Sequence, residues 1–582
     1  MSSGVDVSPH VDQVTRLLIL GAVLLGAFFL FRPELWRRMF LDRVDPRPAA
    51  LLRICFGLAV LWTLIDLVPL ARLLFTDEGL WLTEMARSMY GDELRRLYDA
   101  ERGFEHWWSF IGALGGRFTI LHLRSDPPFA LTIFGLTLAA NVLMILGLWT
   151  RWTTLATWLL VVQLYGYTRI FFSGADVAIL AFLFLCIFTR CGEAYSIDGW
   201  RRRRRAILGG TRTIPALRRI PAWPLRLMML QLTLIYFASG LLKNGDAWWD
   251  GSALYYALNL DHFSRFHQTG VVAFLQEAGL LPLATWATRW WEALFPLALA
   301  GVAINAYERE RADGSWIRAP RWRKLLSWSC LAGVWAVIAY AAGVGALYYV
   351  RPEAFPLRVG RGQIVPLVTT ALAALPLLVI PAYVAARRLL PRVFDFARRW
   401  LAGKRTWLTF GLAMHIGIEI GLNVGTFSEV MVATYLAWLS GREVDAFWRY
   451  LFSRPCRPGE ASRPARDRTW KRRLLAPLDR LLHRAPGKTY LICHHPDEAS
   501  IRRAALLRPW DLGNRLRFIA RREVPKGALR LEVEGGETLT RREAGAALTA
   551  LFPGLWWLWP ARLVPGLAGP SGGLANRILG QR

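Results

Sequence analysis

Residues 129–149 read FALTIFGLTLAANVLMILGLW, an apolar run with no charged residue, interrupted only by Thr132, Thr137 and Asn141. A helix needs about 20 apolar residues to cross the hydrocarbon core of a bilayer. A helix of that length at the surface of a soluble domain would show a polar face, and this one has none. The same texture recurs along the chain, at 14–31, 49–75, 129–149, 152–171, 175–190, 225–242, 287–305, 326–349, 364–386, 407–424 and 426–440. These runs give about eleven crossings of an all-α polytopic membrane helix bundle. The weakest stretch is 164–178, where Gly166, Gly174 and Asp176 break the apolar pattern.

Composition agrees. Of 582 residues, 54% are hydrophobic, with 28 Trp and 30 Phe, and mean hydropathy is +0.28. A net charge of +29 would be compatible with a nucleic-acid partner. The arginines, however, lie between the apolar runs and form no single basic face. The basic stretches are 32–48, 191–224 (with the run Arg201 to Arg205), 306–325 and 387–406. With the spans above, all of them fall on one side, as the positive-inside rule requires. The loops 76–128, 243–286 and 350–363 fall on the other. This reading excludes nucleic acid and places the chain in a bacterial-type inner (plasma) membrane, with its N-terminus outside and its C-terminus cytoplasmic. Membrane lipids are then its first partners. The first run, Leu17 to Phe31, lacks a small-residue cleavage site and is followed by Arg32, Arg37 and Arg38, so it reads as a retained anchor. The six cysteines form no CxxC pair, which argues against a disulfide framework or a zinc site.

The texture divides the chain into an anchor and basic loop (1–43), a membrane domain (44–440), a Pro- and Arg-rich linker (441–487) and a C-terminal unit (488–582). The linker either lies on anionic headgroups or is a solvated tether. In the last unit YLIC, RLRFIA and LRLEVE read as strands, and TRREAGAALTALF reads as an amphipathic helix capped by Thr540. That is a small α/β domain.

Three stretches resemble the horizontally transferred transmembrane (HTTM) family, which includes the vitamin K-dependent gamma-carboxylases. They are LRLMMLQLTLIYFASGLLKNGDAWWDGSALYYAL from Leu225, CGEAYSIDGW from Cys191 and AMHIGIEIGLNVGTFSEVMVATYLAWL from Ala413. Gln231, Tyr236, Gly240, Lys243, Trp248 and Gly251 match in the first, and His415, Gly425, Phe427 and Met431 in the third. The resemblance covers roughly 44–440. It implies that Lys243 is the base of the family, which acts on a reduced quinone. The carboxylases also use a histidine, and Ser173 or Gly174 stands at that position within FFSGADVAIL; His122 lies in another loop. The resemblance therefore implies a quinone-like cofactor but argues against carboxylation.

The tail, with YLICHHPDEAS and EAGAALTALFPGLWWLWPARLVP, resembles the DCC group of thiol-disulfide oxidoreductase-like proteins, which have a thioredoxin-like fold. Cys493 takes the place of that family's Asp, and Pro496 and Ala499 take those of its two cysteines. Dithiol exchange needs both thiols, so the domain is expected to be redox-dead.

On their own chemistry, the candidate residues carry two readings each. Lys243 either snorkels to the interface or, desolvated beside Asp246, Trp248, Trp249 and Asp250, serves as a base. His415, Glu419 and Asn423 recur every fourth residue, forming either the polar wall of a ligand chamber or an interhelical hydrogen-bond cluster. Gly417, Gly421 and Gly425 predict close helix packing on a neighbouring face. Asp176 and Asn141 read as structural. His494 and His495 alternate across a strand, and no metal is expected. The ligand implied is a lipophilic small molecule, quinone-like or lipid, or a peptide, met at the outer face. A catalytic and a non-catalytic (export or tolerance) function both remain open.

Overall fold

A computed structural model describes residues 8–80, 83, 98–99, 103–104, 119–167, 173–208, 216–266, 269–314, 316–349, 361–400, 402–452, 490–507, 510–511, 516–533, 538–539, 543–544 and 547–548. The chain is a bundle of apolar helices followed by a small mixed sheet. In order, the bundle helices are α1 (Ser8–Phe31), α2 (Arg47–Leu67), α3 (Pro127–Leu146), α4 (Thr150–Tyr167), α5 (Gly174–Ile187) and α6 (Trp223–Leu242). They continue with α7 (Leu280–Leu294), α8 (Pro296–Ala312), α9 (Arg321–Tyr349), α10 (Arg361–Leu389), α11 (Lys404–Gly421) and α12 (Phe427–Thr434).

Among the described residues, six helices are long and apolar enough to cross a membrane: Asp12–Phe31, Arg47–Phe75, Pro127–Leu146, Trp223–Leu242, Arg321–Leu347 and Gly362–Leu389. A seventh crossing follows if the helix Gly270–Glu277 and the segment Leu280–Ala312, bent by 75°, make one span. The stretches 152–171, 175–190, 407–424 and 426–440 also form helices, α4, α5, α11 and α12, but shorter or less apolar ones. Leu377 and Leu378 on α10 are 75% and 73% exposed. Such a surface would be costly in water and suits a lipid surround.

α2 sits at the centre. Leu52, Phe56, Val60 and Leu64 are fully or almost fully buried and share one core with Met144, Phe182, Met228 and Val430. Pro48 in its first turn suits a helix start, where a backbone N–H has no intrahelical acceptor anyway. Polar groups within the core are matched across helices. Asn141 Nδ2 donates to the Gly57 carbonyl at 2.9 Å. Arg53, completely buried, donates to the carbonyls of Cys191 at 3.1 Å and Tyr195 at 2.5 Å. Gly147 ends α3 at φ 68°, and a Cβ there would fall 2.6 Å from Arg53 Nη1. Glycine answers both demands. Helix α1 packs on α9, where Gly333 admits Leu24 and Gly21 meets Val337.

The basic stretches meet at one end of the bundle. Val44 pairs with Ile220, Arg226 donates to the Met39 carbonyl at 3.2 Å, and Arg32 pairs with Glu310. Lys404 reaches Glu443 at 2.5 Å, and Arg47 pairs with Asp445. The last two contacts correct a boundary: residues Gly441–Phe452 form a helix tied to the starts of α2 and α11, so the linker begins after it. The rest of the linker lies outside the described residues.

The tail has strands β1 (Tyr490–His494), β2 (Leu516–Ala520) and β3 (Leu529–Val533), with helix α13 (Glu498–Leu507) between the first two. The sheet order is β2-β1-β3, β1 being parallel to β2 and antiparallel to β3. Ile492, Ala504, Leu507, Leu516, Leu529 and Leu531 form its core. The three runs expected as strands are strands. The helix capped by Thr540 lies outside the described residues, apart from 543–544 and 547–548.

The glycine repeat of α11 behaves as expected only in part. A Cβ on Gly421 would come within 3.2 Å of Leu258, but Gly417 has nothing within 4 Å of a notional Cβ, and Gly425 lies beyond the helix at φ 60°. A tight backbone approach is found on α6, where a Cβ on Gly240 would sit 2.3 Å from the Ala293 nitrogen of α7. Gly240→Ala should therefore destabilise the detergent-solubilised protein by about 1–3 kcal/mol, as overpacking does. Gly417→Ala, in open space mid-helix, should be neutral or stabilising by up to about 1 kcal/mol. Thermal melts of the two variants read this directly, and equal shifts would contradict the packing described.

Candidate functional site

α6 starts at Trp223 with Pro224 in its first turn and stops at Leu242, where Lys243 leaves helical geometry (ψ 59°) ahead of Asn244 and Gly245. The contact at Gly240 brings α6 so close to α7 that Lys243 meets Glu292. Nζ of Lys243 pairs with the Glu292 carboxylate, donates to Ser239 Oγ at 2.6 Å and lies 5.2 Å from the Trp248 ring centre. An ammonium has three N–H donors; Glu292 and Ser239 each accept one, and the Trp248 ring lies within cation–π range. Both partners are largely buried, at 17% and 9% side-chain exposure. As a base, Lys243 would have to pass its proton to Glu292.

The loop after Lys243 is pinned onto α7. Trp286 Nε1 donates to the Trp249 carbonyl at 2.9 Å, and Leu254 N donates to Thr285 Oγ1 at 3.3 Å. Gly251, at φ 87°, lets the chain pass against Pro282 and Trp286. This loop lays Trp249 under Arg289, whose guanidinium carbon is 3.6 Å from the ring centre.

Deeper in the bundle, the Tyr236 hydroxyl is 2.8 Å from His415 Nε2 and 2.7 Å from the Tyr435 hydroxyl. Trp291 and Phe295 pack on its ring, each 4.7 Å away between centres. Phe427 lies 5.8 Å from the His415 ring and also borders Gly174. The segment where the resemblance places a histidine thus closes one side of this cluster. His415 Nδ1 is buried and has no hydrogen-bond partner among the described residues.

The structure therefore brings together Lys243, Trp248 and Trp249 at the mouth, with Tyr236 and His415 below. It does not bring in the others. Gln231 is half-buried on α6, five residues before Tyr236, and so about 140° round the helix from it. Asp246 is exposed in the first turn of the short helix Asp246–Trp249. Asp250 is exposed and closes its own turn on Ser252 N and Oγ, at 2.8 and 2.6 Å. The His415, Glu419, Asn423 face is corrected: α11 ends at Gly421, Asn423 N donates to the Phe263 carbonyl, and Glu419 pairs with Arg265 at 3.1 Å. Asn423 is thus not on the helix, and the pair at 419 ties the α11 end to the 263–265 loop. Glu292, Arg289, Ser239 and Tyr435 were missed from sequence. Arg289 and Glu292 had a readable signal, since both are ionisable groups inside the candidate span 287–305.

In the tail, Cys493 is buried and its thiol is pushed up to about 11 by that burial and by Glu532. The positions of the family's thiols hold Pro496, in a bend, and Ala499, in the first turn of α13. Asp497 accepts from Ser500 Oγ at 2.6 Å and from the Ser500 and Gly527 N–H groups, and lies 3.0 Å from His495 Nδ1. Those contacts, the Ser500 hydroxyl above all, hold its carboxyl well below the usual range. Nothing in this arrangement supplies a second thiol near Cys493.

No family model matches this chain, and neither a curated protein nor a solved structure does. The site has to be read from its own chemistry.

Breaking a buried ion pair leaves one charge stranded, whereas replacing both partners is far milder. Glu292→Leu should therefore cost about 3 kcal/mol of stability, and Lys243→Met with Glu292→Leu should recover most of it. A double-mutant cycle by thermal melting reads the coupling, and additive losses would show that the two side chains do not interact.

Proposed function

We propose that this chain is an integral membrane protein of the HTTM kind that takes a lipophilic ligand, quinone-like or lipid, or a peptide, at the end of the bundle opposite its basic loops. The observation that carries the reading is the Lys243–Glu292 ion pair, buried beneath Trp248 at the close of a membrane-length helix. Charged groups buried in the protein at the end of a span are costly to desolvate, and such buried ionisable pairs cluster at sites that face a ligand. The Tyr236–His415–Tyr435 cluster below adds hydrogen-bonding groups in an aromatic setting. In this reading Lys243 is the base, relayed through Glu292.

A second reading, a non-catalytic protein for export of or tolerance to a hydrophobic molecule or peptide, is favoured by a specific observation. Lys243 is already held by an ion pair with Glu292 and a hydrogen bond to Ser239, and Ser173 or Gly174 stands where the carboxylases have a histidine. Gamma-carboxylation is not part of either reading.

The proposal includes about eleven crossings, the shorter helices α4, α5, α11 and α12 completing the count. It also includes an inner (plasma) membrane location with the N-terminus outside, and a degenerate, thioredoxin-like tail in the cytoplasm. The contacts joining the basic stretches at one end support this orientation, and α13 lies against the Arg-rich helix Ile197–Leu208. A reporter active only in the cytoplasm should give signal after Arg582 and none near Asp261. Signal at Asp261 would reverse the orientation.

Lys243→Arg decides between base and anchor. Arginine keeps the charge and the pairing with Glu292, so expression should be normal. A guanidinium does not give up its proton, so activity or ligand turnover should fall to background if Lys243 is the base. Full function in Lys243→Arg would leave the non-catalytic reading. Native mass spectrometry of the detergent-purified protein tests the common core of both, a co-purifying lipophilic molecule. A wild type that never retains one would refute it.

A further inference from the structure

Arg289 is the exception among the deeply placed cations. It is 7% exposed, yet among the described residues it meets no carboxylate and donates no hydrogen bond; its contacts are the faces of Trp249 at 3.6 Å and Trp290 at 5.2 Å. Arg53 and Arg32, buried as deeply, are satisfied by backbone carbonyls and by Glu310. A second donor is idle in the same stack: Trp249 Nε1 is buried without an acceptor among the described residues. The stack is built and not incidental, since Trp286 Nε1 and Gly251 fix the Trp249 loop on α7.

We infer that Arg289 and Trp249 form the seat of a phosphodiester headgroup, belonging to a membrane phospholipid whose chains lie along Trp290 and Leu294. The inference rests on the proposed lipophilic-ligand reading and names the ligand class.

Three observations favour this occupant. The first is charge. Lys243 is neutralised by Glu292, so in this stack Arg289 is, among the described residues, the cation left uncompensated, which matches the single negative charge of a phosphodiester. The guanidinium fork suits its paired oxygens. The second is depth. α6 has 20 residues, or about 30 Å of helix, the thickness of the hydrocarbon core. Its end at Lys243 therefore stands at headgroup level, and Arg289, one turn before Glu292, lies beside it. The third is the flank. Trp286, Trp290 and Leu294 recur every fourth residue on α7 and are 42%, 50% and 47% exposed. They make an apolar outer ridge on α7 that runs past the cation, Trp286 on the side of the loop and Trp290 and Leu294 continuing back along α6, with indole rings at the interface where they are favoured.

The test uses the full-length protein in mild detergent and native mass spectrometry, with phosphatidylglycerol or with diacylglycerol of the same chains. Phosphatidylglycerol should be retained about tenfold better, the difference expected of one charge-assisted contact. Arg289→Gln should abolish that preference, and Trp249→Phe, which keeps the stack but removes the N–H, should reduce it. Equal retention of the two lipids by the wild type overturns the inference without any variant, so a misfolded Arg289→Gln does not shelter it. A preference that survives in folded Arg289→Gln overturns it too. If glycerol 3-phosphate alone displaces the lipid at equal concentration, the site is one for a free oxyanion and the lipid assignment fails. Retention of some other lipophilic molecule, indifferent to Arg289, would sink this inference and leave the proposed function standing. Failure to retain any lipophilic molecule would take both down.

Discussion

Inside a bilayer there is no water to take up an unmet hydrogen bond, and most of this architecture follows from that condition. Helices settle the backbone. Side chains with polar groups must then find partners within reach, and the bundle shows how they do. Thr154, Thr157 and Thr233 each return their hydroxyl to the carbonyl four residues earlier, at 2.7–2.8 Å. Asn141 crosses to the Gly57 carbonyl. Arg53 spans the turn carbonyls of another segment and thereby fixes where α2, α3 and the chain after Cys191 meet. The central helix is thus located by a guanidinium as well as by its apolar core.

The same condition gives the opposite end of the bundle its character. Lys243 and Glu292 answer each other, and the approach of α6 to α7 through Gly240 makes the pairing available. Arg289, one turn away, has aromatic faces but, among the described residues, no acceptor. The Tyr236–His415–Tyr435 cluster lies beneath, with one imidazole nitrogen buried and unpartnered among the described residues. Polar groups that cost free energy to bury are concentrated at this end of the bundle, and that concentration is the physical basis of the proposed function.

The ends of the bundle are held by different means. At the basic end, loops from distant parts of the chain interlock through ion pairs, such as Arg32 with Glu310 and Arg47 with Asp445. At the other, the chain after α11 joins the 263–265 segment by a short antiparallel bridge and the Arg265–Glu419 pair. That pair is half-exposed and contributes little by itself; the backbone bridge does more to seat the α11 end.

The sequence by itself determined the membrane class, because hydropathy over about 20 residues is a local property. It also determined that the basic stretches keep company, since charge in short loops governs insertion, and it marked Lys243, Trp248, Tyr236 and His415 as residues worth following. In the tail, the strands were legible from alternation and turn residues. What the tertiary structure alone decided is partnership. From sequence Lys243 stands beside Asp246 and Asp250, but its ion-pair partner Glu292 belongs to another helix. Asn423 looked like the next step of the His415 face because a regular helix was extrapolated past Gly421, where the chain turns to bond Phe263. The glycine spacing on α11 looked like a packing seam, yet of its three members Gly421 alone, against Leu258, packs closely, and α6 meets α7 backbone to backbone at Gly240. Periodicity reports which residues share a face; which face meets which is set by long-range packing, and a single sequence carries no direct record of it.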